Sequence, residues 1–561
     1  MSYMVIVDEL PFKFVEGQGF RHFCSVIEPR FHLPSRITVA KDCYESYLTE
    51  KRKLKSLLRK CKSRVSLTTD AWTSVQQINY MCLTVHFIDN DWKLQKRILS
   101  FCPISSHKGE EIGKQVEKCL LDWGIDQIFC ITVDNASSND TVVGYIKRKM
   151  NGWKTGVLKG RFLHMRCVAH IINLVVSDGM KTVNDSIIRV RQAVRFIKQS
   201  PARLQRFKKC VEDEKIMSKK LLCLDVPTRW NSTYLMLSAA LDLESAFERY
   251  AEDDPHYNAD LCEREGKGSP DYDDWNNVRR YSEFLQSFYD LTLRVSGSSY
   301  VTSNLFFHEL VNVSALMKEL VESEDPEMGI MACKMKENYE KYWGNPEKIN
   351  LVIFIAVVLD PRYKLDYVEW MLVEIYDQRI ASVLSQNLRD ALNALFEEYR
   401  VLPSNDVLRE EVSGNDDTHS LTSQKKIEFL KCKYRKHKCE KDGESKIELD
   451  KYLDEDTEED SADFDISGWW KVNSGRFPTM GRMARDVLAV PMSTVASESA
   501  FSTGGRVLDL FRSSLSTRVV EGLVCGQNWL RATPFPSVEE CLEEVELLEE
   551  GKPPNYINYK C

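Results

Sequence analysis

Residues 128–140 read IFCITVDNASSND, and the fold turns on this stretch. Ile128 to Val133 is an apolar, β-branched run, too short for a helix and suited to a buried strand. It stops on Asp134. Asn135-Ala136-Ser137-Ser138-Asn139-Asp140 then supplies turn and helix-capping chemistry, and Ser137 to Met150 continues as a helix that is polar on one side. A buried strand that passes through an acid and a cap into a helix is a unit of an α/β sheet.

The same reading extends in both directions. Arg64 to Thr69, Tyr80 to Phe87 and Trp92 to Phe101 are strand-like, with turn chemistry at Asp89-Asn90-Asp91. Ile112, Val116, Cys119, Leu120 and Trp123 recur at helical steps before residue 128. After it come a short strand, Phe162 to Cys167, and a helix starting over Ala169 to Val176. The order β-β-β-α-β-α-β-α feeds an antiparallel meander into a parallel continuation, an α/β mixed sheet with the element order of a ribonuclease-H-like fold. From about 181 to 460 the pattern turns all-α: Ile187–Phe207, Ser232–Tyr250, Tyr281–Val295, Phe306–Glu324 and Met331–Trp343 read as helices. Polar breaks at Asp253–Asp274 and Ser404–Ser423 read as loops, the second expected to be disordered. Helical order returns over Asp465–Arg531, opened by Trp469-Trp470, with helices expected around Met483–Leu488, Ser493–Ser502 and Leu515–Leu530. The expected layout is an N-terminal helical entry segment at 1–63, the first part of the core at 64–180, an all-α insertion at 181–464, a C-terminal region completing the core at 465–535, and a tail at 536–561.

At 561 residues the chain has room for about three units of 100–200 residues each. A net charge of -8 means that any contact with nucleic acid must come from local patches. Base collects in Lys51 to Arg64 and Lys425 to Lys438, and acid in Asp454 to Asp460. Each basic run reads either as a solvated face or loop, or as a contact to DNA backbone or an import signal. The 17 cysteines are scattered, contain no C-x-x-C pair, and give no zinc finger. No secretory leader is read, and a reducing compartment is expected. The longest apolar run, Leu351 to Leu359, is far short of the roughly 20 residues of a membrane helix, so no membrane partner is expected.

Asp70 follows Ser66-Leu67-Thr68-Thr69 as Asp134 follows its own strand, which places both at a sheet rim, where α/β sites form. If the strands are neighbours, the carboxylates converge. Paired hard oxygen ligands suit Mg²⁺ or Mn²⁺, and two such ions can clamp a phosphoryl transfer. The plainer alternative is that each Asp caps the helix after it. Cys167 and His170, three apart, can share a helix face and read equally well as a buried thiol and a bonded imidazole. Trp230, in Arg229-Trp230-Asn231, reads on pattern as core.

The segments Leu67-Thr68-Thr69-Asp70-Ala71-Trp72-Thr73-Ser74, Thr132-Val133-Asp134-Asn135-Ala136-Ser137-Ser138-Asn139-Asp140 and Ser497-Glu498-Ser499-Ala500-Phe501-Ser502 resemble, in order, the three acidic blocks of hAT superfamily transposases. The chain resembles the plant sleeper-type branch over nearly its whole length. That resemblance implies that Asp70, Asp134 and Glu498 form a catalytic, metal-binding triad, with Mg²⁺ or Mn²⁺ as cofactor. The 364-residue separation of Asp134 from Glu498 fits the family's helical insertion. It further implies that His170 lies beside the site, that Arg229 meets phosphate, and that Trp230 stacks on an unpaired base. Other implications are a C-terminal dimerisation region, a homodimer or higher oligomer, DNA as partner and a nuclear location. The Cys/Cys/His/His spacing of the family's BED finger is absent, and the chain is expected to begin just after the place of that finger. Two functions follow: a domesticated DNA-binding, dimerising regulator, or an active Mg²⁺-dependent transposase.

Overall fold

The computed structural model describes residues 1–61, 63–226, 229–263, 268–297, 299–401, 447–461, 463–508 and 515–531. Five strands form one mixed sheet: β1 (Val65–Thr73), β2 (Asn79–Ile88), β3 (Leu94–Pro103), β4 (Ile128–Val133) and β5 (His164–Arg166). Their spatial order is β3-β2-β1-β4-β5. β1, β2 and β3 pair antiparallel, whereas β1–β4 and β4–β5 are parallel. The ribonuclease-H-like α/β expectation therefore holds.

The short strand expected over Phe162–Cys167 is only His164–Arg166, and two further differences in strand limits bear on the site. β1 runs on to Thr73, because Asp70 to Thr73 keep an antiparallel partner in β2 after the parallel ladder with β4 has ended at Thr68↔Thr132. Asp70 is thus within a strand rather than at its end. Trp92 is not the start of β3 but the last residue of the turn, at φ 64. Asp89 Oδ1 accepts the amides of Asp91 and Lys93 there at 2.9 and 3.0 Å, which closes the turn.

Each face of the sheet has its own cover. Leu67, Leu83, Val85 and Ile131 pack under the helices Gly109–Trp123 and Ser137–Trp153. The opposite face, with Tyr80, Cys82, Ile98 and Phe101, lies under the helices Val495–Val507 and Thr517–Leu530. The entry helices Ser2–Val7 and Arg36–Lys60 pack onto that same layer, where Tyr47 stacks on Trp529 with ring centroids 5.3 Å apart.

The helical expectation for the middle of the chain also holds, with two breaks that the periodicity hides. Ile187–Phe207 is two helices, Asn184–Lys198 and Pro201–Asp213, because proline has no N–H to continue the first. Ser232–Tyr250 is likewise two, Trp230–Asp242 and Glu244–Asp253, meeting at Leu243. The expected loop Asp253–Asp274 contains a helix, Pro255–Glu263. The run Leu351–Leu359 is a wholly buried helix, Val352–Val358. The break at Ser404–Ser423, the basic run Lys425–Lys438 and the tail 536–561 lie outside the described residues. No helix among the described residues is long and apolar enough to cross a membrane.

Candidate active site

Parallel pairing sets the first two carboxylates side by side. Thr68 is in register with Thr132, so two residues further on Asp70 and Asp134 leave the ladder together on the same face. Asp134 is half-buried, and its Oδ1 accepts the Ala136 amide at 2.9 Å and the Asn139 side-chain amide. Asp70 Oδ1 accepts the amide of Ala71 at 2.7 Å.

Glu498 arrives on the first turn of Val495–Val507 and is exposed. A set of buried polar contacts seats that helix on the sheet. Ser497 Oγ lies 2.9 Å from Thr68 Oγ1, which also contacts His86 Nε2 at 3.2 Å. Just upstream, Thr132 Oγ1 donates to the Pro491 carbonyl at 2.7 Å, and the Val168 amide donates to that of Met492 at 2.9 Å. Thr494 Oγ1 lies 3.0 Å from Glu498 Oε1 and 3.3 Å from Cys167 Sγ.

The environment of Asp70 favours its protonated form. Burial raises the Asp70 carboxyl; the Ala71 amide opposes this, and the charges of Glu498 and then Asp134 add to it, leaving it at about 7. Like charges that raise a proton affinity are also charges that a cation can relieve, and an all-oxygen donor set suits a hard divalent ion. Among the described residues, no three His, Cys, Asp or Glu side chains are gathered tightly enough to make a formed metal centre. As hard oxygen donors, Asp70, Asp134 and Glu498 fit such an ion by chemistry.

The remaining candidates divide. His170 is half-buried in the first turn of Val168–Met180, and its amide donates to Cys167 Sγ. Burial pushes the Cys167 thiol up to about 11, so it serves as an inert wedge between β4 and Thr494 rather than as a metal ligand. Its amide donates to the Val133 carbonyl at 2.7 Å. Arg229 is exposed. Trp230 is 3% exposed, packed in the helical core with Tyr234 6.4 Å away between ring centroids. Its ring is enclosed in this DNA-free chain.

Sequence reasoning missed the residues that seat Glu498: Thr68, Thr132, Thr494 and Ser497. A signal existed for part of the set. Ser66, Thr68 and Asp70 recur at every second position of β1 on one face, and a polar row on a buried face needs a polar partner. Arg166 was missed too. It donates to Asn135 Oδ1 at 3.4 Å and Asp140 Oδ1 at 3.2 Å, bracing the loop that follows Asp134.

Family models match in series along the chain. A ZBED1 RNase-like domain matches residues 68–162 and a ZBED1 RNase-like helical domain residues 165–284. A model described as hAT-like transposase, RNase-H fold, matches 304–399, a stretch of helices joined by turns here, and the hAT family C-terminal dimerisation region matches 448–530. The zinc finger BED domain-containing protein RICESLEEPER 2 of Oryza sativa subsp. japonica is 35% identical, over 95% of this chain and 74% of the relative. A putative AC transposase of Zea mays is 34% identical, over 97% and 66%. The zinc finger BED domain-containing protein DAYSLEEPER of Arabidopsis thaliana is 31% identical, over 94% and 73%.

Proposed function

This chain belongs to the hAT transposase family, and from that premise we propose that it acts in the nucleus as a DNA-bound dimer in a domesticated role, with Asp70, Asp134 and Glu498 as a retained triad. The observation that carries this reading is the β1–β4 register, which brings Asp70 and Asp134 to one face of the sheet, where Ser497 and Thr494 seat the helix of Glu498. Residues far apart in sequence thereby share one sheet edge, as a site inherited from a phosphodiester enzyme requires. Mg²⁺ or Mn²⁺ held there would polarise a phosphate and its attacking oxygen. The chain's own part is positioning: β1 and β4 align two carboxylates, Thr494 steadies the third, and Arg229 offers an exposed cation to phosphate. The domesticated role is supported by the net charge of -8, which leaves DNA engagement to local cations.

A second reading, an active transposase, is favoured by the same three carboxylates. In it a water or a 3′-hydroxyl attacks a phosphodiester, and the excised ends are joined to target DNA. The two are separated by incubating wild type and Asp70→Asn with transposon-end DNA and Mg²⁺ or Mn²⁺. The expected result is that both bind DNA and neither cleaves it. Metal-dependent cleavage by the wild type that is lost in Asp70→Asn overturns the domesticated role and establishes the second reading.

A further inference from the structure

Much of the apolar surface of the C-terminal block is spent inside the chain. Trp470, Phe477, Val487 and Leu488 are buried, and Trp470 stacks on Trp92. In the same block Val472 is 81% exposed, and a second exposed apolar surface lies on the same body. The helix Gln18–Ile27 supplies it. Phe20, Phe23, Cys24 and Ile27 fall at the i, i+3, i+4, i+7 steps of one helix face, yet the helix has no buried residue. Phe23, Val26, Ile27 and the nearby Ile37 are between 58 and 76% exposed.

This uncovered face is continuous with the region that matches the hAT dimerisation family. Phe20 packs at 4.6 Å on Phe14, and both lie against a cluster that includes Val507 and Leu523. The Gln527 side chain donates to the Val7 carbonyl at 3.1 Å, and Arg506 pairs with Glu9. The entry segment and the C-terminal helices thus form one body.

The face is also complementary to itself. Arg21 and Glu28 are exposed and lie on the same flank of the apolar stripe, at equal distances on either side of the midpoint between Cys24 and Ser25. When two such helices cross antiparallel about a two-fold axis, Arg21 of each copy faces Glu28 of the other. Isologous contacts have this property by construction.

We propose that a second copy of this chain docks through the Gln18–Ile27 helix, antiparallel to its counterpart, with Phe23 and Ile27 at the centre and Arg21–Glu28 pairs at the rim. The proposal rests on the dimeric reading above and assigns its contact. Sedimentation velocity on the full chain tests it. Wild type is expected to be a dimer. Phe23→Asp combined with Ile27→Asp should be a monomer with an unchanged circular dichroism spectrum, because neither side chain is buried in a single chain. Arg21→Glu and Glu28→Arg should each weaken association about tenfold, and the two together should restore it. A double-Asp variant that stays dimeric overturns this contact while leaving dimerisation intact, as does a charge swap that fails to restore association. A wild type that is monomeric at every concentration overturns both.

Discussion

At Asp70, proton affinity and stability are linked. A buried acid held at about 7 favours its protonated form in the folded state, so its contribution to stability is complete below pH 4 and drains away as the pH rises to about 7. At neutral pH the ionised group therefore strains the fold it serves. Asp70→Asn keeps the shape without the charge. It should be more stable than wild type at pH 7 in metal-free buffer by about 1–2 kcal/mol, with the difference vanishing near pH 4. Calorimetric melts across that range check this, and equal melting points at pH 7 would contradict it. The residue was legible because an acid follows a β-branched run. Its neighbourhood was not, since which strand lies beside which depends on pairing that no local pattern records. The same gap applies at Trp230, whose enclosure among the helices depends on packing that no local pattern records.

The helix Val495–Val507 works as an element only if it lies close to the sheet. Gly504 sets that distance: a Cβ there would come within 2.7 Å of the Phe101 ring, in a buried aromatic layer with little room to shift. Gly504→Ala should cost about 1–3 kcal/mol by overpacking. Gly152, in the helix Ser137–Trp153, has nothing within 4 Å of the same position. Gly152→Ala should leave stability unchanged or raise it by up to about 1 kcal/mol through helix propensity. Urea titration of both variants decides; a Gly504→Ala chain as stable as Gly152→Ala would mean that the helix can lift without penalty. At this scale most elements were legible from period alone. The misses were at their ends and breaks: Pro201 and Leu243 interrupt runs whose apolar spacing continues across them, and Trp92 closes a turn although its side chain is apolar.

In the whole molecule, one buried carboxylate ties three distant parts together. Asp486, in the helix Pro478–Leu488, accepts the Arg64 amide at 2.9 Å and the Tyr399 hydroxyl, and lies 3.6 Å from the Arg64 guanidinium. The start of β1, the last long helix before residue 402 and the C-terminal region meet there. Removing it strands a buried cation, so Asp486→Ala should cost about 3–5 kcal/mol and divide a single melting transition in two. A single transition at the wild-type temperature would deny the tie. None of this was legible, because Asp486 is 87 residues from Tyr399 and 422 from Arg64, and each is unremarkable alone. The seat of Glu498 shares that property, and it has a consequence for biosynthesis. Thr68 leaves the ribosome long before Ser497, and at about 5–20 residues per second the interval is roughly 20–90 s. Through that interval one face of the sheet waits without its cover, a natural surface for chaperones to hold. A message broken before codon 495 would yield a protein with an open sheet face and no third carboxylate. Quality control could then discard it, and only a finished polypeptide would carry the assembled edge.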